Sequence, residues 1–192
     1  MKILKVMTLV GLTASLLAAA PQKNRDAKFK EIVKTGQKSS KMLMQTLGKN
    51  MKKNMKAGGP IKALDFCSKE AYNLTEKVNT KLPKGVNVKR ISMKFRNPAN
   101  EPQGNEANVL EALAKLKNAN VVLPKHLIEK VDEHTYKYYK PIIINKQVCL
   151  KCHGDVKDTD LKRAIQTNYP IDKAMGYKMG DLRGAVVVTI KK

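Results

Sequence analysis

The sequence predicts an α+β protein in which helices precede an antiparallel sheet. Apolar residues recur at three- and four-residue steps over the first part of the chain, as they do in amphipathic helices. Short β-branched runs are concentrated in the second part, and the clearest of them is GAVVVTI at 184–190. Pro170 and the glycines that follow it exclude a long terminal helix. Together these observations predict the α+β fold class.

Length and charge narrow the possible functions. The chain has 192 residues, which is enough for one globular domain with an added helix. Its 38 Lys and Arg residues against 16 Asp and Glu give a formal net charge of +22, which predicts attraction to anionic partners. An aromatic content of 5% without Trp argues against a nucleic-acid stacking surface. We therefore expect no nucleic-acid partner, and only weak contact with an anionic membrane through exposed lysines.

Residues 1–20 have the pattern of a secretory signal peptide. Lys2 and Lys5 give a positive start, residues 6–17 are apolar, and three alanines end the segment at 18–20. The apolar run is short for a transmembrane span, and no second run of spanning length follows. The sequence therefore predicts an exported, periplasmic protein. Retention of the segment as an N-terminal anchor is the alternative.

Two helices are predicted after the leader. The first is a long amphipathic helix within 21–57, whose apolar periodicity weakens only around Gly36. Gly58-Gly59-Pro60 then breaks it, because proline suits the first turn of a new helix. This first helix is a candidate for homodimerisation, with packing on its own sheet as the alternative. The predicted buried positions of the second helix are Ile61, Leu64, Cys67, Ala71, Leu74 and Val78.

The later elements are predicted to be strands with one helical insertion. In chain order they are a strand at 86–95, a loop at 96–105, a helix at 107–117, strands at 127–131 and 135–144, and the final strand at 184–190.

The sequence Cys149-Leu150-Lys151-Cys152-His153 is a C-x-x-C-H motif, which is the attachment signal for c-type haem. The two thiols can add across the vinyl groups of haem, and His153 can then supply the proximal iron ligand. Attachment of this kind takes place after export, so the motif and the leader support each other. The alternatives are a Cys149–Cys152 redox disulfide and half of a zinc site, although no second ligand pair has similar spacing. We expect one haem c per chain.

The second axial position of the iron has several candidates in the sequence. Core filling or solvent exposure is the more common role of the methionines and histidines among them. Cys67 is an inward-facing thiol without a disulfide partner, and a small buried hydrophobe is its ordinary role. The other candidates are Met93, Met175, Met179, His126 and His134. Haem propionates have candidate partners in Arg90, Arg96 and Arg183, for which solvation at the surface is the alternative.

Four separated segments carry a resemblance to a known family. They are Arg96-Asn97-Pro98, CLKCHG at 149–154, Gly176-Tyr177 and GDLRGA at 180–185. In this order they resemble the PAS-like periplasmic c-type haem domain family, over roughly residue 28 to the end. The resemblance implies a PAS-like antiparallel sheet in a haem domain at 58–192, with haem held by Cys149, Cys152 and His153. It also implies a distal cysteine ligand on an N-terminal helix, and the matching residue is Cys67.

The resemblance also bears on function. Members of that family occur alone and as sensory input domains of membrane-bound kinases and chemoreceptors. No output region is expected in this chain, so the resemblance implies a redox or diatomic-gas responsive sensor module that acts through a protein partner. No acid–base constellation stands out near the motif, so we expect no enzymatic activity. A periplasmic electron-transfer cytochrome c is the alternative.

Overall fold

The computed structural model describes residues 22–192, and its architecture is α+β, as the sequence predicts. The predicted signal peptide lies outside the described residues. Within residues 22–192, no helix combines the length and the apolarity that a membrane span requires. The helices are α1 (Gln22–Lys69), α2 (Ala71–Asn79), α3 (Glu106–Asn118), α4 (Gln147–His153) and α5 (Thr159–Asn168), with a 3-10 turn at Pro98–Asn100. The strands are β1 (Val86–Ile91), β2 (Leu127–Lys130), β3 (Thr135–Ile143) and β4 (Leu182–Lys191).

The four strands form one antiparallel sheet in the order β1-β4-β3-β2. The last strand of the chain is therefore central, and Val188 pairs with Val88 on one side and Tyr138 on the other. Residues 184–188 are buried without interruption because helices cover both faces of the sheet. Strand β1 ends at Ile91, earlier than predicted, since Ser92 N donates to Asn100 O at 3.0 Å and turns the chain into the following loop.

The first part of α1 packs on its own sheet. Ile32 and Leu43 are buried in one core cluster with Val188 of the sheet. Gly36 faces the ring of Tyr138 so closely that a Cβ atom there would overlap it. The weak apolar periodicity around Gly36 therefore reflects a close helix–sheet contact.

Helix α1 changes direction at Gly58 and Gly59, as the sequence predicts. Gly59 has a φ of 68°, a left-handed conformation that favours glycine. The predicted second helix is divided, because a turn at Glu70 separates 60–69 from α2. The prediction that Ile61 is buried was wrong: its side chain is 48% exposed in the first turn after the kink, and burial begins two residues later.

Helix α3 covers the opposite face of the sheet and places a carboxylate inside the protein. Glu106 is only 1% exposed, and its carboxylate accepts bonds from Lys89 at 2.8 Å and Lys137 at 3.1 Å. The backbone N–H of Gln103 donates to the same group at 2.9 Å. Burial raises the pKa of Glu106, but these three donors outweigh it and hold the pKa below its ordinary value. We call Glu106, Lys89 and Lys137 the Glu106 cluster.

Helix α5 was not predicted, because most of its residues are polar. The Asp158 carboxylate caps it and accepts bonds from Asp160 N and Leu161 N, each at 3.0 Å. Leu161 and Ile165 are buried against Leu64 of α1. The chain thus folds back over the segment that carries Cys67.

Candidate functional site

The C-x-x-C-H motif forms most of helix α4. Cys149, Cys152 and His153 stand at positions i, i+3 and i+4, so their side chains project from one face of the helix. Gly154 ends the helix, and a Cβ atom there would lie 2.7 Å from Leu150 O. The local fold therefore presents two thiols and one imidazole in the same direction.

These three side chains and Cys67 line one cavity of about 320 Å³. The four predicted ligands thus come together, although 82 residues separate Cys67 from Cys149. The four side chains lie around the cavity and do not meet at one position. Within residues 22–192, no group of three or more His, Cys, Asp or Glu residues is placed to hold a bare metal ion. All three cysteines are free thiols.

His153 is held in one orientation and one protonation state. The Nδ1–H group donates to Ala174 O at 2.9 Å, which leaves Nε2 as the free lone pair. Burial, reinforced by the charges of Arg183 and Arg96, lowers the pKa of His153 to about 3. The ring is therefore neutral at neutral pH, as a metal-binding imidazole must be. Tyr177 packs edge-on against it, with the ring centroids 6.3 Å apart.

Arg96 fixes the loop that holds His153. Its side chain is buried, and its Nε and Nη2 atoms donate to the two carboxylate oxygens of Asp172 at 3.0 and 3.1 Å. Nη2 also donates to Cys152 O at 2.7 Å, and Asp172 in turn accepts from Ala174 N at 2.9 Å. Surface solvation is therefore wrong for Arg96, which links α4 to its supporting loop.

The Cys67 thiol lies in the cavity wall and is partly buried. Burial raises the pKa of Cys67, while the positive charges of Arg90 and Arg96 oppose that rise. In the protein alone the sulfur is therefore protonated at neutral pH, and a further positive centre is needed to stabilise the thiolate.

The other predicted axial candidates do not line the cavity. Met93 and Met179 are exposed, Met175 packs beside Tyr169, and His134 is exposed on the sheet edge. His126 stacks on Tyr138, with ring centroids 5.1 Å apart. Three methionines of α1 do line the cavity, although their helical spacing predicts only core residues of an amphipathic helix. These are Met44, Met51 and Met55.

Two further arginines of the cavity wall have no carboxylate partner within residues 22–192. The Nε atom of Arg90 is buried without any hydrogen-bond partner. Arg183 donates from Nη1 to Ser92 Oγ at 2.6 Å and to Lys94 O at 3.0 Å, which are both neutral acceptors. The cavity therefore carries uncompensated positive charge.

The fold and the cavity define an α+β protein that gathers a C-x-x-C-H helix and a distant cysteine around one internal volume. The chain belongs to the Tll0287-like family, whose model matches residues 20–191. The crystal structure of the cyanobacterial heme-protein Tll0287 is similar, with 23% identity and a TM-score of 0.57 over 91% of this chain and 98% of that chain. At this identity the likeness concerns the fold alone. No curated protein sequence matches the chain.

Proposed function

We propose that this chain is an exported, periplasmic protein that carries one covalently attached haem c. Cys149 and Cys152 form the thioethers, His153 is the proximal iron ligand and Cys67 is the distal ligand. The observation that carries the proposal is that all four side chains line the same cavity. Membership of the Tll0287-like family supports it, because the similar solved structure is named a heme-protein.

The chemistry of the cavity fits a haem. Two thiols at i and i+3 match the attachment motif, a neutral imidazole offers Nε2, and the buried Nε of Arg90 lacks a partner that an anionic group would provide. Haem bound there would supply a redox-active iron with two axial positions. His153 needs no reorientation to occupy one of them, since Ala174 O already fixes its ring.

Cys67 is the residue that makes this haem protein responsive. As a ligand of bound haem, the Cys67 thiolate would stabilise the ferric state and lower the reduction potential, and reduction would weaken its hold. The kink at Gly58 and Gly59 separates the segment that carries Cys67 from the part of α1 that packs on the sheet. Release of Cys67 would therefore open a position for a diatomic gas and free a short segment to move.

We infer from this arrangement a PAS-like sensor module, responsive to redox state or to a diatomic gas, that acts through a protein partner and not as an enzyme. Its antiparallel sheet with helices on both faces is compatible with a PAS-like domain. The N-terminal part of α1 is a candidate for contact with the partner or with a second copy.

Electron transfer is the second candidate function, and the charge of α1 favours it. Residues 32–64 contain no Asp or Glu, and the same helix lines the cavity with Met51 and Met55. An acidic redox partner would dock here close to the haem. The exposed lysines of this stretch are Lys34, Lys38, Lys41, Lys49, Lys52, Lys53, Lys56 and Lys62.

Attachment is tested by producing the full chain in a host with c-type haem maturation. We expect the mass of the purified protein to correspond to the mature polypeptide plus one haem, and Cys149→Ala/Cys152→Ala to abolish the addition. Cys67→Ala is the matched control, because removal of this thiol should leave the attached mass unchanged. An unmodified wild-type chain would overturn the proposal.

The distal ligand is tested on the ferric protein by electron paramagnetic resonance. The wild type should show a low-spin thiolate signature that Cys67→Ala removes. Met51→Leu and Met55→Leu remove the competing cavity thioethers and should preserve it. A signature that survives Cys67→Ala and disappears in one of the methionine variants would transfer the role to that methionine.

The sensor and electron-transfer functions differ in the ferrous state. A sensor should bind CO after reduction, with a shifted absorption spectrum, because Cys67 has left the iron. A ferrous spectrum that is inert to CO and unchanged in ligation would favour electron transfer.

A further inference from the structure

The cavity wall contains more positive charge than the protein neutralises. Lys89 pairs with Glu106, and Arg96 pairs with Asp172. The acidic side chain of the wall is Glu76, which is exposed and forms no ion pair within residues 22–192. The cationic residues of the wall are Lys89, Arg90, Arg96 and Arg183, of which Lys89 directs its side chain to Glu106 on the other face of the sheet.

Arg90 has the stronger need for an external partner. Strand β1 directs its side chain toward the cavity, and Nε is buried without a hydrogen bond. A buried donor left unpaired is destabilising, so native proteins rarely retain one without a ligand or water to satisfy it. Burial lowers the pKa of Arg90, and the nearby Cys67 and Tyr169 only partly oppose that effect.

Arg183 reaches the same cavity because of a β-bulge. The β3–β4 register runs from Ile142 opposite Gly184 to Ile143 opposite Leu182, so Arg183 is the extra residue between them. A bulge of this kind redirects a side chain. Burial lowers the pKa of Arg183, the nearby Tyr177 opposes that effect, and the charges of Arg96 and Arg90 add to it.

From this geometry we propose that Arg90 and Arg183 are the anchors of the two haem propionates, one carboxylate for each uncompensated guanidinium. The inference rests on the proposed function, since it assumes that haem occupies the cavity. Two carboxylates satisfy both the orphaned Nε of Arg90 and the charge of Arg183. Because β1 and β4 are neighbours in the sheet, these two strands would hold the propionates, and α4 would hold the thioether side of a bound haem.

A Cys67 thiolate is the competing partner for Arg90, since these two groups interact electrostatically. It would leave the charge of Arg183 uncompensated, and one sulfur cannot serve two guanidinium groups on different strands. The two partners also give different signals, because only a propionate contact is visible in the vibrations of the porphyrin side chains.

The test uses the haem-loaded full chain with Arg90→Leu, Arg183→Leu and the conservative Arg90→Lys. We expect Arg90→Leu and Arg183→Leu to shift the propionate bending band in the resonance Raman spectrum, and Arg90→Lys to shift it less. The midpoint potential should fall in both leucine variants, because a cation that stabilises ferrous haem is lost. Arg163→Leu is the matched control, since Arg163 is 78% exposed on α5 and pairs with Asp160.

The outcomes separate this inference from the proposed function. A wild-type chain without attached haem, read from its mass, would remove the proposed function. Attached haem whose propionate band stays in place in both leucine variants would overturn the assignment of the arginines. A changed thiolate signature in Arg90→Leu with an unmoved propionate band would assign Arg90 to Cys67. Arg90→Lys and Arg183→Leu keep the test decisive if Arg90→Leu fails to fold.

Discussion

The two faces of the sheet bury charge in opposite ways. On the α3 face, Glu106 is matched by Lys89, Lys137 and a backbone N–H, so the charge is satisfied within the chain. On the cavity face, Arg90 and Arg183 have no carboxylate partner within residues 22–192. Buried polar groups in native proteins are normally paired, so unpaired guanidinium groups in a cavity wall are the pattern expected where a ligand binds. The unpaired arginines therefore indicate a binding site more strongly than the shape of the cavity does.

The largest expected effect on stability comes from removing Arg96, the cavity-wall arginine that is paired with a carboxylate. Arg96→Met leaves the buried Asp172 carboxylate without its partner, and the free energy of unfolding should fall by about 3–5 kcal/mol. Denaturant unfolding measures the change, with the exposed Arg163→Met as control at within about 0.5 kcal/mol. A loss no larger than that of the control would contradict the structural role of Arg96.

The bulge that redirects Arg183 is the next most sensitive feature. Gly184 has a φ of 150°, and a Cβ atom there would overlap Ile91 O, so Gly184→Ala should cost about 3 kcal/mol. Gly48→Ala is the matched control, because nothing lies within 4 Å of a Cβ at that helical position. Alanine there should be neutral or stabilising by up to about 1 kcal/mol. Equal effects of the two variants on the unfolding midpoint would argue against a strained bulge.

Glu106→Gln tests the Glu106 cluster on the α3 face of the sheet. At pH 7 the loss of charged hydrogen bonds should cost about 2 kcal/mol. The pKa of Glu106 is lowered in the folded protein, so its contribution is complete above the ordinary pKa of about 4.3 and is lost as the pH falls through the lower folded value. Unfolding of wild type and variant at pH 7 and pH 3 should therefore show a difference that shrinks in acid. A difference that is constant with pH would exclude this linkage.

The smallest expected effect on stability is that of Arg90→Leu, and its sign should differ between haem-free and haem-loaded protein. In haem-free protein, Arg90→Leu removes an unpaired buried cation, so stability should be unchanged or increase by about 1 kcal/mol. In haem-loaded protein the same substitution should destabilise, because it removes the partner of a carboxylate. Thermal unfolding of both forms measures this reversal. Equal destabilisation of both forms would mean that Arg90 is satisfied within the chain.

Local patterns predicted much of this protein. A β-branched run predicted the last strand, and Gly58-Gly59-Pro60 predicted the kink. These features depend on residues close together in sequence, where backbone geometry decides the outcome. The PAS-like character of the sheet stays a prediction.

Contacts between distant residues could not be predicted in the same way. Arg96 and Asp172 are separated by 76 residues, and nothing near either one indicates the pairing. Helix α5 has few apolar residues, although Asp158 three positions before Leu161 is a capping signal that could have indicated its start. The burial expected at Ile61 failed because helical periodicity does not show where a kinked helix first meets the core.

The C-x-x-C-H motif occupies five consecutive residues of α4, whereas Cys67 belongs to α1 and meets them only in the folded cavity. If haem is attached as proposed, a maturation enzyme could recognise the motif on a polypeptide that has not yet folded. Closure by Cys67 then belongs to a later stage of biogenesis. We expect pulse labelling to detect the covalent adduct before protease resistance appears, and the reverse order would contradict this sequence of events.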